Sequence, residues 1–303
     1  MTIKHRREIL ETEFEGGVDE PKPITLQERD MLICQFLYAL DGFASLGQIV
    51  QMFFNNPHTG RGRMGLLKQH DYVLKLAHWS SPPVFYLGER GAQLVAKRFD
   101  IPWNEFLKTY WVLDVDRDTL AHDLMVRDFR LGIQESATRS GYLKLAAWIW
   151  ERQFITWHDE VSFKHQGAAQ TVEVAPDSYC EVLLGKKRFR FLYELERTNH
   201  KGNPEVVRRK LKPFVAYIRS KQYAERFDYN AGRILYELRS KQRLKSLQQV
   251  CEQQLGNATD MFYFTTTPLR EKASVLTDPI WYRGTADKPA PLFVEEPTAL
   301  VPL

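Results

Sequence analysis

Residues 175–197 read APDSYCEVLLGKKRFRFLYELER and predict an antiparallel hairpin within an α/β domain. Strand-like runs, Tyr179 to Leu184 and Phe189 to Glu194, lie on either side of the turn Gly185-Lys186-Lys187.

Two acidic residues mark the ends of the hairpin. Asp177 precedes its first strand and Glu194 ends its second, so we expect the fold to bring these carboxylates together. Paired carboxylates hold Mg²⁺ or Mn²⁺ against a phosphate in many nucleases. Asp177 and Glu194 are therefore candidate metal ligands. Glu196 is a further candidate, because alternation along a strand puts it on the same face as Glu194.

The hairpin lacks the lysine that such a nuclease carries two residues after its second acid. Glu196 occupies that position, and Lys210 on a following helix is the candidate replacement. In the alternative interpretation, Asp177 caps a strand start, Glu194 pairs with a nearby cation and Lys210 is an ordinary solvated lysine. The sequence leaves both interpretations open.

Other motifs add little. His122 has no HxH or HxxxH partner and is interpreted as structural, and Glu151 fits a sheet-edge acid and a surface glutamate equally well. The sequence contains no GxxxxGK[ST], GxGxxG or GxSxG motif and no cysteine-rich zinc pattern. ATP-driven, Rossmann, hydrolase and zinc-finger functions therefore have no support.

Length and composition are those of an ordinary soluble protein with room for two domains. The 303 residues are 44% hydrophobic and 26% charged, and no stretch approaches the roughly 20 apolar residues of a membrane span. The basic N-terminus lacks a signal-peptide core, so we expect a cytoplasmic protein. Cys34, Cys180 and Cys251 are far apart, which predicts reduced thiols.

Positive charge is concentrated in one part of the chain. The net charge is only +4, but residues 186–245 contain 18 Lys and Arg against 6 Asp and Glu. Such an excess favours a polyanionic partner through counterion release. Arg208, Arg209 and Lys212 are the candidate DNA-backbone contacts in this region. The alternative is a solvated basic face without a partner.

The sequence of the N-terminal part of the chain predicts a winged helix-turn-helix. Thr25 and Glu28 match a capping box for the first helix, and Ser45 is the predicted cap of the second. Helices are expected over residues 25–40, 46–54 and 61–70, short strands over 72–77 and 84–87, and a last helix over 92–99.

In a winged helix-turn-helix the third helix enters the major groove of DNA. Its candidate DNA-binding residues here are Arg61, Arg63, Lys68 and Gln69, because arginine and glutamine match the edges of guanine and adenine. The alternative is a winged helix that binds protein.

The sequence therefore divides into five segments. We expect a flexible arm over residues 1–24, the winged helix over 25–99, an irregular aromatic connector over 100–118, an α/β domain over 119–267 and a proline-punctuated surface tail over 268–303. The α/β domain should contain a mixed sheet flanked by helices. Its expected order of helix, three strands, helix, strand, helix, strand resembles the PD-(D/E)xK nuclease fold.

The chain as a whole resembles the replication-relaxation family of plasmids and integrative elements. The resembling segments are residues 24–40, 84–92, 120–124 with Asp128, 176–177, 193–198 and 262–267. The family's usual Glu-x-Asp-Arg is Glu194-Leu195-Glu196-Arg197 here, a mild departure. The resemblance implies a role in plasmid replication and DNA relaxation, and a core similar to the nuclease fold.

Three hypotheses of function follow. The first is a DNA-binding accessory protein of a mobile element, with double-stranded DNA and the element's replication or mobilisation proteins as partners. The second is a metal-dependent DNA endonuclease or nickase that uses Asp177, Glu194, Glu196 and Lys210 with Mg²⁺ or Mn²⁺. The third is a protein-interaction adaptor whose basic face binds an acidic protein. No membrane partner is expected.

Overall fold

Each of two units, residues 1–115 and residues 116–303, has its own sheet and core. A computed structural model describes residues 24–76, 82–109, 117–165, 167–196 and 204–294. The predicted flexible arm therefore lies outside the described residues, apart from Ile24.

The first unit has the element order of a winged helix-turn-helix. Its elements are α1 (Glu28–Ala39), β1 (Phe43–Ser45), α2 (Leu46–Phe53), α3 (Pro57–Gln69), β2 (Val73–Lys75), β3 (Val84–Leu87), α4 (Glu89–Arg98) and α5 (Trp103–Thr109). Strand β3 lies between β1 and β2 and is antiparallel to both. The core of the first unit includes four fully buried side chains, those of Ile33, Leu37, Ile49 and Leu67. The tip of the predicted wing, residues 77–81, lies outside the described residues.

Helix α1 begins later than the sequence predicts. The expected cap at Thr25 is wrong, because Gln27 is the N-cap residue and its backbone N–H donates to the Asp30 carboxylate at 2.7 Å. Helix α2 begins as predicted, since the Ser45 hydroxyl accepts a hydrogen bond from the backbone N–H of Gln48 at 3.2 Å.

Helix α3 begins one turn earlier than predicted. The sequence Asn56-Pro57 looks like a turn, but the Asn56 side chain accepts a hydrogen bond from the backbone N–H of His58 at 2.8 Å and caps the helix. Proline is favoured at the first helical position because the missing N–H would have no partner there. The whole of His58 to Gln69 is therefore presented on one helix.

The second unit is built on a mixed sheet of six strands. These are β4 (Leu143–Trp150), β7 (Ser178–Leu184), β8 (Lys187–Glu196), β9 (Arg233–Leu238), β10 (Phe262–Thr266) and β11 (Tyr282–Arg283), in the spatial order β11-β10-β9-β8-β7-β4. Strands β8, β9 and β10 are parallel, and the other neighbours are antiparallel.

Helices and a small hairpin complete this unit. They are α6 (Arg117–Ser140), α7 (Glu151–Trp157), α8 (Pro204–Ile218), α9 (Lys221–Phe227), α10 (Lys241–Leu255), α11 (Thr267–Arg270) and the antiparallel pair β5 (Glu160–His165) and β6 (Ala168–Glu173). A mixed α/β fold is thus present. Its assignment to the PD-(D/E)xK fold stays a prediction.

The predicted central hairpin is present as β7 and β8. Ser178 pairs with Tyr193 at one end, and the turn at the other end contains Gly185 with a φ of 57°, a conformation that suits glycine. On one face of the sheet the Tyr193 ring stacks on Phe129 of α6, with centroids 3.7 Å apart. On the other face Leu192 belongs to a buried cluster with α8 and α10. The hairpin is therefore packed on both sides.

The prediction of a surface tail after residue 267 is wrong for the described part of that segment. Strand β11 joins the sheet, and Val275, Leu276, Ile280 and Trp281 are buried. The indole N–H of Trp281 donates to the carbonyl of Val275 at 2.8 Å. Apolar residues between the prolines give this segment enough surface to bury. Residues 295–303 lie outside the described residues.

The expected irregular connector contains a helix, α5, before its undescribed part at residues 110–116. Phe106 of this helix is fully buried and stacks on Tyr38, with ring centroids 5.3 Å apart. The sequence interpretation also missed α7, α9 and the β5–β6 hairpin.

Two expectations from composition can be compared with the structure. Cys34, Cys180 and Cys251 are buried free thiols, as the spacing predicts. Among the described residues, no helix combines the length and apolar character that a membrane crossing requires.

Candidate functional site

An acidic cluster lies where β7 begins and β8 ends. The antiparallel pairing of these strands brings Asp177, just before β7, next to the end of β8. The backbone N–H of Leu195 donates to the Asp177 carboxylate at 2.6 Å, and both Asp177 and Glu194 are buried. The two predicted acids are therefore close together and held by the strand backbone.

Lys210 reaches this cluster from α8. Its ammonium group contacts one carboxylate oxygen of Glu194, while the other oxygen is buried without a hydrogen-bond donor among the described residues. Burial and the charge of Asp177 raise the pKa of Glu194 above its ordinary value, although Lys210 opposes the shift. The free oxygen is thus a strong acceptor site for a cation or a proton.

His122 of α6 joins the cluster from the opposite side of the hairpin. Its Nε2 lies 3.1 Å from Asp177 and its Nδ1 lies 3.5 Å from Asp123. Burial opposes a charge on the imidazole, but the hydrogen bonds and charges of Asp123 and Asp177 outweigh burial and raise the pKa of His122 to about 10. His122 is therefore a cation at neutral pH that holds two carboxylates.

Glu151, the first residue of α7, completes the cluster. Its backbone N–H donates to the carbonyl of Asp177 at 3.2 Å. Burial, followed by the charge of Asp177, raises the pKa of the Glu151 carboxyl to about 7. Neither Glu151 nor His122 stands out in the sequence, because each meets Asp177 only through the tertiary fold.

Glu196 has a separate partner. It shares a strand face with Glu194, but its carboxylate accepts from Arg243 of α10 at 2.6 Å and from the Tyr236 hydroxyl at 3.4 Å. Arg243 therefore offsets the charge of Glu196, which fills the position where the nuclease pattern has lysine. The cation beside Glu194 is supplied by Lys210 instead.

The donor set suits a divalent metal only in part. No group of three His, Cys, Asp or Glu residues that could hold a metal ion occurs in the described ranges. Mg²⁺ is often bound by one or two carboxylates with water completing its shell, and Asp177 and Glu194 offer that number. The unpartnered oxygen of Glu194 is the feature that fits a cation.

A second candidate surface is the exposed face of α3. Six residues recur at helical spacing on that face and are exposed: His58, Arg61, Gly62, Gly65, Lys68 and Gln69. Met64 and Leu67 on the opposite side are buried in the core of the unit. The predicted residues Arg61, Lys68 and Gln69 therefore share one exposed surface.

Arg63 does not belong to that surface. Its Nε donates to Asp30 at 2.9 Å, and its Nη2 donates to Asp30 and to the carbonyl of Thr25. Asp30 is 1% exposed, and its hydrogen bond raises the pKa of Arg63. This arginine joins α3 to α1 inside the unit.

Some of the positive side chains in the basic region, residues 186–245, are paired with acidic residues in the structure. Arg188 and Arg190 pair with Glu181, and Arg226 pairs with Asp159, both acids from outside the region. Lys212 is half-buried on α8, and the side chains of Arg208 and Arg209 lie outside the described residues. Part of the charge excess thus serves the fold.

Comparisons with known proteins bear on both surfaces. A family model described as replication-relaxation matches residues 37–233. No curated protein matches the sequence.

Solved structures give only distant likenesses. The organohalide-sensing transcriptional regulator RdhR-CbdbA1625 in its 2,4-dichlorophenol-bound form is 14% identical over 43% of this chain and 81% of its own, with a TM-score of 0.23. A MarR family protein from Bacillus stearothermophilus is 15% identical over 42% of this chain and 82% of its own, with a TM-score of 0.23. Lactococcus lactis ZitR in complex with DNA is 13% identical over 45% of this chain and 97% of its own, also at 0.23. Likenesses this weak add nothing to the fold described above.

Proposed function

Because the chain belongs to the replication-relaxation family, we propose that it is a DNA-binding accessory protein in the replication, relaxation or mobilisation of a mobile element. Double-stranded DNA is its principal partner, and the exposed face of α3 is the contact surface. Replication or mobilisation proteins of the same element are its protein partners.

The observation that carries this proposal is a pair of glycines on α3. Gly62 and Gly65 lie on the exposed face, and a Cβ added at either would meet no described atom within 4 Å. A glycine in a helix interior costs roughly 0.5–1 kcal/mol relative to alanine. The packing of the unit gives no reason for this cost. A partner that approaches the helix backbone closely, as the wall of a DNA groove does, supplies one.

The side chains around the glycines have the chemistry of a DNA-reading helix. Arg61 and Lys68 provide positive charge at either end of the glycine pair, and Gln69 can donate to and accept from an adenine edge. Arg63 acts from behind by fixing α3 to α1. We therefore assign DNA contact to Arg61, Lys68 and Gln69, and a supporting role to Arg63.

Salt-dependent binding of duplex DNA tests the proposal. The double variant Arg61→Ala/Lys68→Ala should bind more weakly and with a salt slope lower by roughly 1 to 2, since each phosphate contact contributes about 0.9. Lys97→Ala/Arg98→Ala removes the same charge from exposed positions on α4 and is the matched control. Equal affinities for both variants would remove α3 as the contact. No DNA binding at any salt concentration would favour the adaptor hypothesis.

A sequence-independent contribution from the second unit forms part of the same proposal. Arg208, Arg209 and Lys212 on α8 are assigned to phosphate contact, and their neutralisation should lower the salt slope of the full chain further. An unchanged slope would restrict DNA binding to the first unit.

A second candidate function is a metal-dependent DNA nickase. It is favoured by one observation: beside Asp177, Glu194 contacts Lys210 through one carboxylate oxygen and leaves its other oxygen without a hydrogen-bond donor among the described residues. Asp177 and Glu194 would hold Mg²⁺ or Mn²⁺, which when bound orients water and neutralises charge on a phosphate. Lys210 would favour the ionised form of Glu194, and His122 would hold the Asp177 carboxylate in place. Glu196 is assigned to the support of the site through Arg243.

Calorimetric titration with Mn²⁺ tests this second function. The wild-type protein should release or absorb heat on binding, and Asp177→Asn should not. Nicking of supercoiled plasmid should require both the metal and Asp177. Identical heats for the two proteins would show that Asp177 and Glu194 are a structural acid pair.

A further inference from the structure

Two of the hydrogen-bond donors in the second unit that are buried without an acceptor among the described residues lie on adjoining elements. They are the Nε–H of Arg130 on α6 and the Nε1–H of Trp148 on β4. Nearly all buried donors in proteins are paired, because a donor that has lost water and gained no acceptor destabilises the fold. Two such donors on adjoining elements point to an acceptor that is not part of the chain.

Both donors belong to side chains around the ring of Trp150. The guanidinium carbon of Arg130 lies 5.8 Å from the Trp150 ring centroid, and that of Arg127 lies 5.2 Å from it. The Trp148 ring meets the same indole edge-on, with centroids 5.3 Å apart. Two guanidinium groups and the indole of Trp148, with its N–H donor, thus pack around the Trp150 ring.

Arg130 differs in its surroundings from three arginines that pair with acids. Arg63, Arg226 and Arg270 each hydrogen-bond to a carboxylate, and the pKa of each is raised. Burial alone lowers the pKa of Arg130, and no carboxylate opposes the shift. Since a guanidinium stays protonated in proteins, its charge is left uncompensated by the described residues.

The group lies next to the acidic cluster. Trp150 is followed directly by Glu151, whose backbone N–H donates to the carbonyl of Asp177. Arg127 donates to the carbonyl of Asp123 at 2.9 Å, and Asp123 contacts His122. Arg130 and Trp148 are each only partly buried as residues, so the pair lies just beneath the surface at the edge strand β4.

We propose that Arg130 and Trp148 form a phosphate site that holds one backbone phosphate of bound DNA beside the acidic cluster. The DNA part of this inference rests on the proposed function. The site offers positive charge and hydrogen-bond donors, so it suits an anionic group that only accepts hydrogen bonds. A phosphate has that character, and arginine is the side chain that matches its geometry. The Trp150 ring supports the two guanidinium groups from behind.

Three variants of the full chain test the site. Arg130→Gln removes the charge, and Trp148→Phe keeps an aromatic ring but removes the N–H. Lys144→Gln removes an exposed charge from the same strand and is the matched control. Affinity for labelled duplex DNA should fall about tenfold in each of the first two, as for a lost hydrogen bond to a charged group. It should change less than twofold in the control.

A measurement without DNA separates this site from the proposed function. Inorganic phosphate should raise the thermal unfolding midpoint of the wild type and of Lys144→Gln above its value in chloride at equal ionic strength, but not that of Arg130→Gln. If the wild type does not bind DNA but shows this Arg130-dependent shift, the proposed function is wrong and the phosphate site is supported.

The opposite outcome overturns the site alone. If wild-type DNA binding is normal and Arg130→Gln and Trp148→Phe bind equally well, the two donors have only a structural role. Trp148→Phe removes no hydrogen bond from the free protein, so a loss of DNA affinity without a lower unfolding midpoint cannot come from misfolding. Should one variant fail to fold, the other decides.

Discussion

At the scale of single residues, Arg61 and Arg63 look alike in the sequence and differ in the structure. Arg61 is exposed on α3, whereas Arg63 donates to a buried carboxylate, Asp30, that lies 33 positions earlier in the chain. Their chemistry is the same, so only the tertiary partner separates the arginine that we propose as a DNA contact from the one that supports the helix.

Arg63→Ala should therefore destabilise the first unit rather than act on DNA directly. Loss of one partner from a buried ion pair leaves the other charge uncompensated and costs about 3–5 kcal/mol. Urea unfolding should show this loss, and Arg61→Ala should stay within about 0.5 kcal/mol of wild type, as is usual for exposed positions. Full stability of Arg63→Ala together with weaker DNA binding would return Arg63 to the contact surface.

Glu151 gives a pH-dependent prediction. Its folded pKa of about 7 lies above the ordinary value of 4.5, so the folded state binds this proton more tightly than the unfolded state. The associated stability is complete below the unfolded pKa and is lost as the pH rises through about 7. Glu151→Gln removes this loss and should be more stable than wild type above pH 7 by about 1–3 kcal/mol. Urea unfolding at several pH values measures the difference, and parallel stability curves for the two proteins would argue against it.

The acidic cluster was only half predictable. Asp177 and Glu194 follow from a hairpin that strand alternation and a glycine turn reveal locally. His122 and Glu151 do not, because His122 meets Asp177 across 55 positions and no motif marks either residue. Lys210 was predicted only as one of two alternatives, since a helix lysine carries no sign of the strand that it faces.

At the scale of elements, periodic and capped segments were predicted well and short ones were not. The hairpin of β7 and β8 forms where the sequence predicts it, and Ser45 caps α2 as expected. Helix α3 was started too late because Asn56-Pro57 serves equally as a turn and as a helix start. The segment after residue 267 was predicted as a surface tail because its frequent prolines are typical of an extended surface segment. Several of its apolar residues are buried nevertheless.

Trp281 tests the corrected role of that segment. It is 1% exposed, contacts Phe129 edge-on at 6.2 Å and donates to the carbonyl of Val275. Trp281→Ala should cost about 3–5 kcal/mol, the usual range for removing a buried large aromatic side chain. Chemical denaturation gives the value. The exposed Val294→Ala, whose side chain lies near the end of the same segment, should change little and is the control.

At the scale of the whole molecule, the resemblance noted in the sequence is confirmed by a family match that spans residues of both units. Glu181 and Asp159 form ion pairs with some of the positive side chains of residues 186–245. The net charge of this region therefore overstates the number of cations that are available to bind DNA. We therefore rest the proposal on a more local surface, the glycine-bearing face of α3, which we expect to lie close against duplex DNA.

The most direct test is the duplex-DNA affinity of Gly65→Leu, measured together with its thermal unfolding midpoint. Leucine changes no charge, favours a helix over glycine by about 0.8 kcal/mol or more, and points into open space in the free protein. We expect an unfolding midpoint equal to or above that of wild type and an affinity at least about tenfold lower, because the side chain holds the helix away from the groove. An unchanged affinity in a folded Gly65→Leu protein would contradict it.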